Sequence, residues 1–263
     1  MLGLKRIHRI AMICTGMAAV PLSWSGVPLE TETAQTLHRG GLEANMALEY
    51  QTSSEGNELA TPIAVEYGLL DNLEILVEPV LYTAILPNHG KSTIGLGDLE
   101  VTVNYRFFTE RGAMPSFGLA GEVKIPTARD SLIGTGATDY TGYFIISKAV
   151  GSCFLHANLG YAIVGQPKGA SLPNLLSYGL AIEQNAATAL QFVAEVYGNT
   201  SAFGETSEGG PENPITPEAA GGQVVGTVGL RYFFKRGAAF IMGVSYDNSN
   251  AWQFAPGLAA TFL

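Results

Sequence analysis

The chain has 263 residues, of which 47% are hydrophobic and only 14% charged, and its formal charge is −9. Soluble domains carry roughly 25% charged residues, and a net-negative chain is a poor match for nucleic acid, so no nucleic-acid partner is expected. Beyond the first few dozen positions no run of about 18 apolar residues occurs, which leaves no candidate for a membrane-spanning helix.

The first residues have the grammar of a secretory signal, assigned here to 1–25. Lys5, Arg6 and Arg9 make a basic start, an apolar run follows over 10–20, and Ser23 and Ser25 flank Trp24 at a small-x-small cleavage site. Cys14 follows the bulky Ile13, which argues against a lipoprotein cysteine. Loss of this segment leaves Cys153 as the one cysteine, so no intramolecular disulfide is expected. It also takes the formal charge from −9 to about −12. Residues 26–37 show no clear period and are expected to form a periplasmic leader.

From residue 38 on, the pattern is period-two alternation, the signature of strands. Leu42, Ala44, Met46, Leu48 and Tyr50 oppose Glu43, Asn45 and Glu49. Leu59, Thr61, Ile63, Val65 and Tyr67 oppose Ala60, Ala64 and Glu66, and Leu73, Ile75, Val77 and Leu81 oppose Glu74 and Glu78. The clearest stretch is 97–108, where Leu99, Val101, Val103, Tyr105 and Phe107 oppose Asp98, Glu100, Thr102, Asn104 and Arg106. Similar rows follow at 117–125, 139–147, 155–161, 176–183, 190–199, 223–234 and 240–247, and a weaker one at 252–263 that contains Pro256. A strand of about 10 residues, tilted, is long enough to cross a bilayer. The rows predict an all-β fold, an antiparallel transmembrane β-barrel of about 12 strands over 38–263, apolar outside and polar within.

Link length gives an independent signal. Links after even strands are short, at 68–72, 109–114, 150–152, 184–187 and 235–237. Links after odd strands are mostly long, at 83–96, 127–138, 165–173 and 200–221, although 248–250 is short. Short turns on one side and long loops on the other suit a barrel in an outer membrane. Two hairpins echo each other, Tyr105-Arg106-Phe107-Phe108 before Glu110-Arg111-Gly112 and Arg231-Tyr232-Phe233-Phe234 before Lys235-Arg236-Gly237. Aromatic rings just before a charged turn suit an interfacial girdle.

The inward rows are acidic, with few bases. Glu122, Lys124, Asp139, Glu195, Arg106, Arg231, His156 and Asn158 are the candidate lumen or constriction groups. Such a wall would favour cations or neutral solutes over anions; the other reading pairs the carboxylates with Arg and Lys in a lumen plugged by loops. Ser147, His156 and Asn158 have the residue types of a barrel hydrolase. No Gly-x-Ser-x-Gly elbow accompanies them, so catalysis is not expected. No Cys/His spacing suits a metal and no nucleotide loop is present, so no cofactor is expected.

Several stretches resemble one known family. They are Gly97-Asp98-Leu99 leading to Tyr105-Arg106-Phe107, Glu122-Val123-Lys124-Ile125-Pro126-Thr127, Gly134-Thr135-Gly136-Ala137-Thr138-Asp139-Tyr140, His156-Ala157-Asn158-Leu159-Gly160-Tyr161 and Ala194-Glu195-Val196-Tyr197-Gly198. Together they resemble the MetA-pathway of phenol degradation family, over roughly 42–263. The resemblance implies a transporter-like barrel in the cell outer membrane, taking up aromatic or other hydrophobic compounds. One departure is the end of the chain, where Phe262 is penultimate and Leu263 last; such barrels usually end on an aromatic residue read by the barrel-assembly machinery.

The function expected is an outer-membrane channel for passive passage of small solutes. Its partners are outer-membrane lipid, a small-molecule solute and the assembly machinery. The alternative is a structural or ligand-binding barrel with a plugged lumen. A hydrophobic solute could also leave sideways through a wall break, for which Pro126 and Pro256 are the candidate positions.

Overall fold

The computed structural model describes residues 29–167, 171–201, 222–234 and 237–262. The proposed signal at 1–25 and most of the loop expected over 200–221 lie outside the described residues. Fourteen strands follow in chain order: β1 (Leu42–Ala47), β2 (Glu49–Thr52), β3 (Gly56–Leu70), β4 (Leu73–Pro87), β5 (Thr93–Gly95), β6 (Leu99–Phe108), β7 (Ser116–Ile125), β8 (Asp139–Val150), β9 (Cys153–Ile163), β10 (Leu175–Ala187), β11 (Leu190–Ser201), β12 (Val224–Phe233), β13 (Ala238–Asp247) and β14 (Trp252–Phe262). No helix occurs among the described residues.

These segments make twelve staves of one closed antiparallel barrel. β1 and β2 are one stave interrupted at Leu48, whose N–H donates to Pro256 O at 2.9 Å. β5 and β6 lie in one stave along β4. Closure is made by β1, where Leu42 pairs with Phe262 on one side and Tyr67 on the other. With no edge left, every stave has hydrogen-bonding neighbours on both sides, which a sheet in hydrocarbon requires.

The faces follow the sequence rows. Leu180 and Val228 are 64% and 63% exposed, and Met46, Val103, Leu119, Phe144, Leu159 and Leu258 are exposed beside them. Glu43, Asn45, Glu66, Glu74, Thr102, Asn104, Glu183, Gln191, Glu195, Thr227 and Arg231 are buried on the inner face. An apolar outer surface of this extent, unpartnered in water, is an aggregation surface, and lipid is the solvent that suits it. Ring clusters bound the belt. Phe107, Phe117 and Phe144 stack near the turn end, with centroids 6.2 and 6.0 Å apart along the series, and Tyr246 meets Trp252 at 4.7 Å at the other end.

Three expectations need correction. The long loop placed at 83–96 is largely strand. β4 continues to Pro87 and β5 pairs with it, so Thr83, Ala84 and Ile85 oppose Gly95, Ile94 and Thr93. The turn placed at 184–187 falls after Ala187, because Asn185 still pairs with Gln191 before a register shift. Pro256 sits opposite Met242 in a continuous β13–β14 ladder, and on its other side, where the β1/β2 stave is interrupted, it accepts the Leu48 N–H, so the wall stays hydrogen-bonded there. Pro126 directly follows β7, past the paired wall. A register shift does occur at another proline, between Ala60 and Pro62 of the β3–β4 pairing.

Candidate functional site

The lumen holds an unexpected occupant. Residues 26–37 were expected as a periplasmic leader; their described part, 29–37, runs inside the barrel. Four staves grip this segment through side chains. The Glu195 carboxylate on β11 accepts the Glu30 N–H at 3.0 and 3.1 Å, the Thr31 N–H at 3.0 Å and the Thr31 hydroxyl at 2.8 Å. Ser147 Oγ on β8 accepts the Ala34 N–H at 2.8 Å. Asn104 on β6 donates from Nδ2 to Thr33 O at 2.8 Å and to Glu74 Oε1 at 3.3 Å, and Glu74 Oε2 on β4 accepts the Leu37 N–H at 2.8 Å.

The physical reason is that a segment lying in a lumen outside any strand ladder has unpaired backbone groups. Buried N–H groups need acceptors, and inward Glu, Ser and Asn supply them. Two small apolar contacts add to the grip. Leu29 packs with Ala181 and Val193, and Ala34 with Ala120 and Ile145. The wall is thinned where the segment passes. A Cβ on Gly179 would lie 2.6 Å from Thr31 Oγ1, and one on Gly68 would lie 2.1 Å from His38 O. The segment leaves at the turn end, where Asp71 accepts from Thr36 Oγ1 at 2.8 Å and from the Arg39 N–H at 2.9 Å.

The candidate site residues all occupy the inner face or its rim, but they form no single constriction. Glu195 holds the segment. Arg231 is fully buried and donates from Nη1 to Glu183 Oε1 at 2.7 Å and Gln191 Oε1 at 3.0 Å. Lys124 and Asp139 form an ion pair across β7 and β8, and Asp139 also accepts the Gly165 N–H at 2.7 Å. Arg106 donates to Asp71 O at 2.6 Å, at the turn where the segment leaves. Glu122 accepts from Tyr143 OH at 3.4 Å. Asn158 faces inward opposite Gly179.

Ser147 and His156 do meet, with Oγ and Nδ1 2.8 Å apart. Both are buried, Ser147 also receives the Ala34 N–H, and His156 Nε2 has no hydrogen-bond partner. A nucleophile–base–orienter relay needs a third group on the second ring nitrogen; Asn158 does not supply it here. The pair holds the segment instead of facing open space.

Beside the segment lies a chamber of about 280 Å³. It is walled by Glu30 and Glu32 of the segment and by Glu66, Glu74, Glu78, Glu100 and Glu122 of β3, β4, β6 and β7. Thr102, Asn104, Tyr143, Leu29 and Leu76 complete much of the lining, and no Lys, Arg or His is among it. Parity predicted the wall carboxylates. It missed Glu30 and Glu32, because 29–37 has no apolar row; its run of Thr31, Thr33, Ala34 and Thr36, small and polar, is the one signal that suits a polar interior. Among the described residues no group of three or more His, Cys, Asp or Glu is placed to hold a metal ion.

Comparison with known proteins agrees on the fold. The chain is similar to the COG4313 outer membrane channel from Pseudomonas putida F1, with a TM-score of 0.66 at 12% identity over 89% of this chain and 100% of that one. It is also similar to the NanC porin, with a TM-score of 0.60 at 11% identity over 82% of this chain and 98% of that one. A third is the KdgM porin in complex with disordered oligogalacturonate, at 0.53 and 9% identity over 83% of this chain and 99% of that one. The fold is therefore that of outer-membrane barrels of the channel and porin kind. No family model matches the chain, and no curated protein matches it.

Proposed function

We propose that this chain is an outer-membrane channel for passive passage of small solutes, occluded by its own segment 29–37. The observation that supports this reading is the pairing of a closed barrel, apolar outside, with an inner wall of carboxylates and hydroxyls. The outer belt is solvated by lipid, the inner wall by water, and cations or neutral solutes are preferred over anions inside. Residues 1–25 serve as the export signal, and the assembly machinery inserts the barrel. The resemblance to the MetA-pathway of phenol degradation family adds aromatic or other hydrophobic compounds as the solute class. In this reading Lys124, Asp139, Glu122 and Arg106 line the route, while Glu195, His156 and Ser147 set the segment's hold.

The second reading, a ligand-binding barrel with a plugged lumen, is favoured by the grip of four staves on the segment. Single-channel conductance across planar bilayers under a salt gradient separates the two. The proposed channel gives small or rare currents with the full mature chain and steady, cation-selective steps once 26–37 is deleted. A deletion variant that folds, migrates as a heat-modifiable barrel and stays silent overturns the channel reading in favour of the plugged barrel.

A further inference from the structure

The lumen chamber has more negative groups than its own lining can compensate. Seven carboxylates border it with no base among them. Two of these, Glu78 and Glu100, sit directly opposite each other on β4 and β6, an arrangement that destabilises a sheet unless a positive charge lies between them. A second observation points the same way. Thr102 and Asn104 border the chamber, are 1% and 3% exposed, and carry oxygens, Oγ1 and Oδ1, with no hydrogen-bond partner. Asn104 uses its Nδ2 on Thr33 O and Glu74, which fixes the amide so that the idle atom is an acceptor. A buried acceptor without a donor is costly, and a ligand that brings donors removes the cost.

We propose that this chamber binds an aliphatic diamine or polyamine. A single metal ion fits poorly, since no three carboxylates among the described residues converge on one point. The space, about 280 Å³, is several times the roughly 30 Å³ share of one water, so it suits a ligand whose charges are spread along a chain. Each terminal ammonium brings three donors and an internal one two, none of them an acceptor, the complement of this wall. Leu29 and Leu76 offer apolar surface to methylenes, and Tyr143 adds an aromatic side chain to the lining. The proposal draws on the acidic lumen of the channel reading but not on passage, because binding is read at equilibrium.

The test is calorimetric titration of the folded mature chain in detergent with putrescine, spermidine and, separately, Mg²⁺. One saturable site for an amine is expected, tightest for spermidine. Affinity should fall at least tenfold in Glu78→Gln/Glu100→Gln and several-fold in Thr102→Val, each confirmed as folded by heat-modifiable migration. Mg²⁺ binding as tight as spermidine, absence of saturable amine binding, or unchanged affinity in both variants overturns the proposal. A channel silent in bilayers leaves the binding result standing, and failed binding leaves the conductance test standing.

Discussion

Thr31 is tied to Glu195 twice, its N–H and its hydroxyl both donating to Oε2, at 3.0 and 2.8 Å. Glu195 also takes the neighbouring Glu30 N–H, so one carboxylate satisfies the start of the lumen segment. Hydrogen bonds to a charged acceptor contribute about 1.5–3 kcal/mol each. Glu195→Gln keeps one carbonyl oxygen and turns an NH₂ toward donors. A net loss of about 2 kcal/mol is expected, roughly 30-fold in the local opening equilibrium. Amide hydrogen exchange at Thr31 reports it directly. Protection equal to that of the unaltered chain would mean the segment is held elsewhere.

Close approach at Gly179 gives a steric route to the same state. A Cβ there would lie 2.5 Å from Asn158 Oδ1 and 2.6 Å from Thr31 Oγ1. Gly179→Val is expected to push Thr31 off Glu195 while leaving the barrel closed, raising both exchange at Thr31 and conductance. Gly118→Ala is the control. Its Cβ would meet Ala34 Cβ at 3.4 Å, an ordinary contact, so exchange at Ala34 should stay within about twofold of the unaltered chain.

Arg231 and Glu183 are both fully buried, with Gln191 bridging them through Oε1 to Arg231 and Nε2 to Glu183. Removing one partner of such a pair leaves an uncompensated charge and costs about 3–5 kcal/mol. Arg231→Met should lower barrel stability by that amount, and Arg231→Met/Glu183→Leu should recover most of it. Equilibrium urea unfolding in lipid vesicles, followed by the fluorescence of Trp252 on β14, measures both. A double variant as unstable as the single one would show that Gln191, not the charge, carries the cost.

How much of this was legible in the sequence depended on where each residue's partner lies. The wall is read from near neighbours. Val103 and Tyr105 face out and Thr102 and Asn104 face in because lipid and lumen alternate with the pleat. The strand count and the inward position of Glu122, Glu195 and Arg231 follow from that alone. The hold on the segment does not, since Thr31 and Glu195 are 164 residues apart and meet across a lumen, not along a ladder. Nor does the length of β4, since 83–87 pairs with the start of β3 over Gly56–Ala60, and the short β5, three residues that carry almost no periodic signal, covers only Thr83, Ala84 and Ile85 on the other side. The Ser147–His156 contact was visible as a hairpin neighbour, but its use in holding Ala34 was not.

The loop after β7 carries a pH dependence of its own. Asp130 accepts from the Thr93 hydroxyl at 2.5 Å and from the Leu132 N–H at 3.0 Å, and these bonds, Thr93 first, hold its carboxyl below the usual aspartate range. A depressed carboxylate pKa means that ionisation favours the docked loop. That contribution is complete above the ordinary aspartate value of about 3.9 and fades as pH falls through the lower docked value. The loop is therefore expected to stay ordered from neutral pH down to about pH 4 and to loosen below it. A spin label at Thr135→Cys, in a Cys153→Ser background, reads the mobility. Asp130→Asn should be mobile at every pH. Loosening that sets in near neutral pH would rule out Asp130 as its cause, and an Asn variant as ordered as the parent would assign the loop's order to Asp98 instead, whose Oδ1 accepts the Thr127 and Ala128 N–H groups at 3.0 Å each.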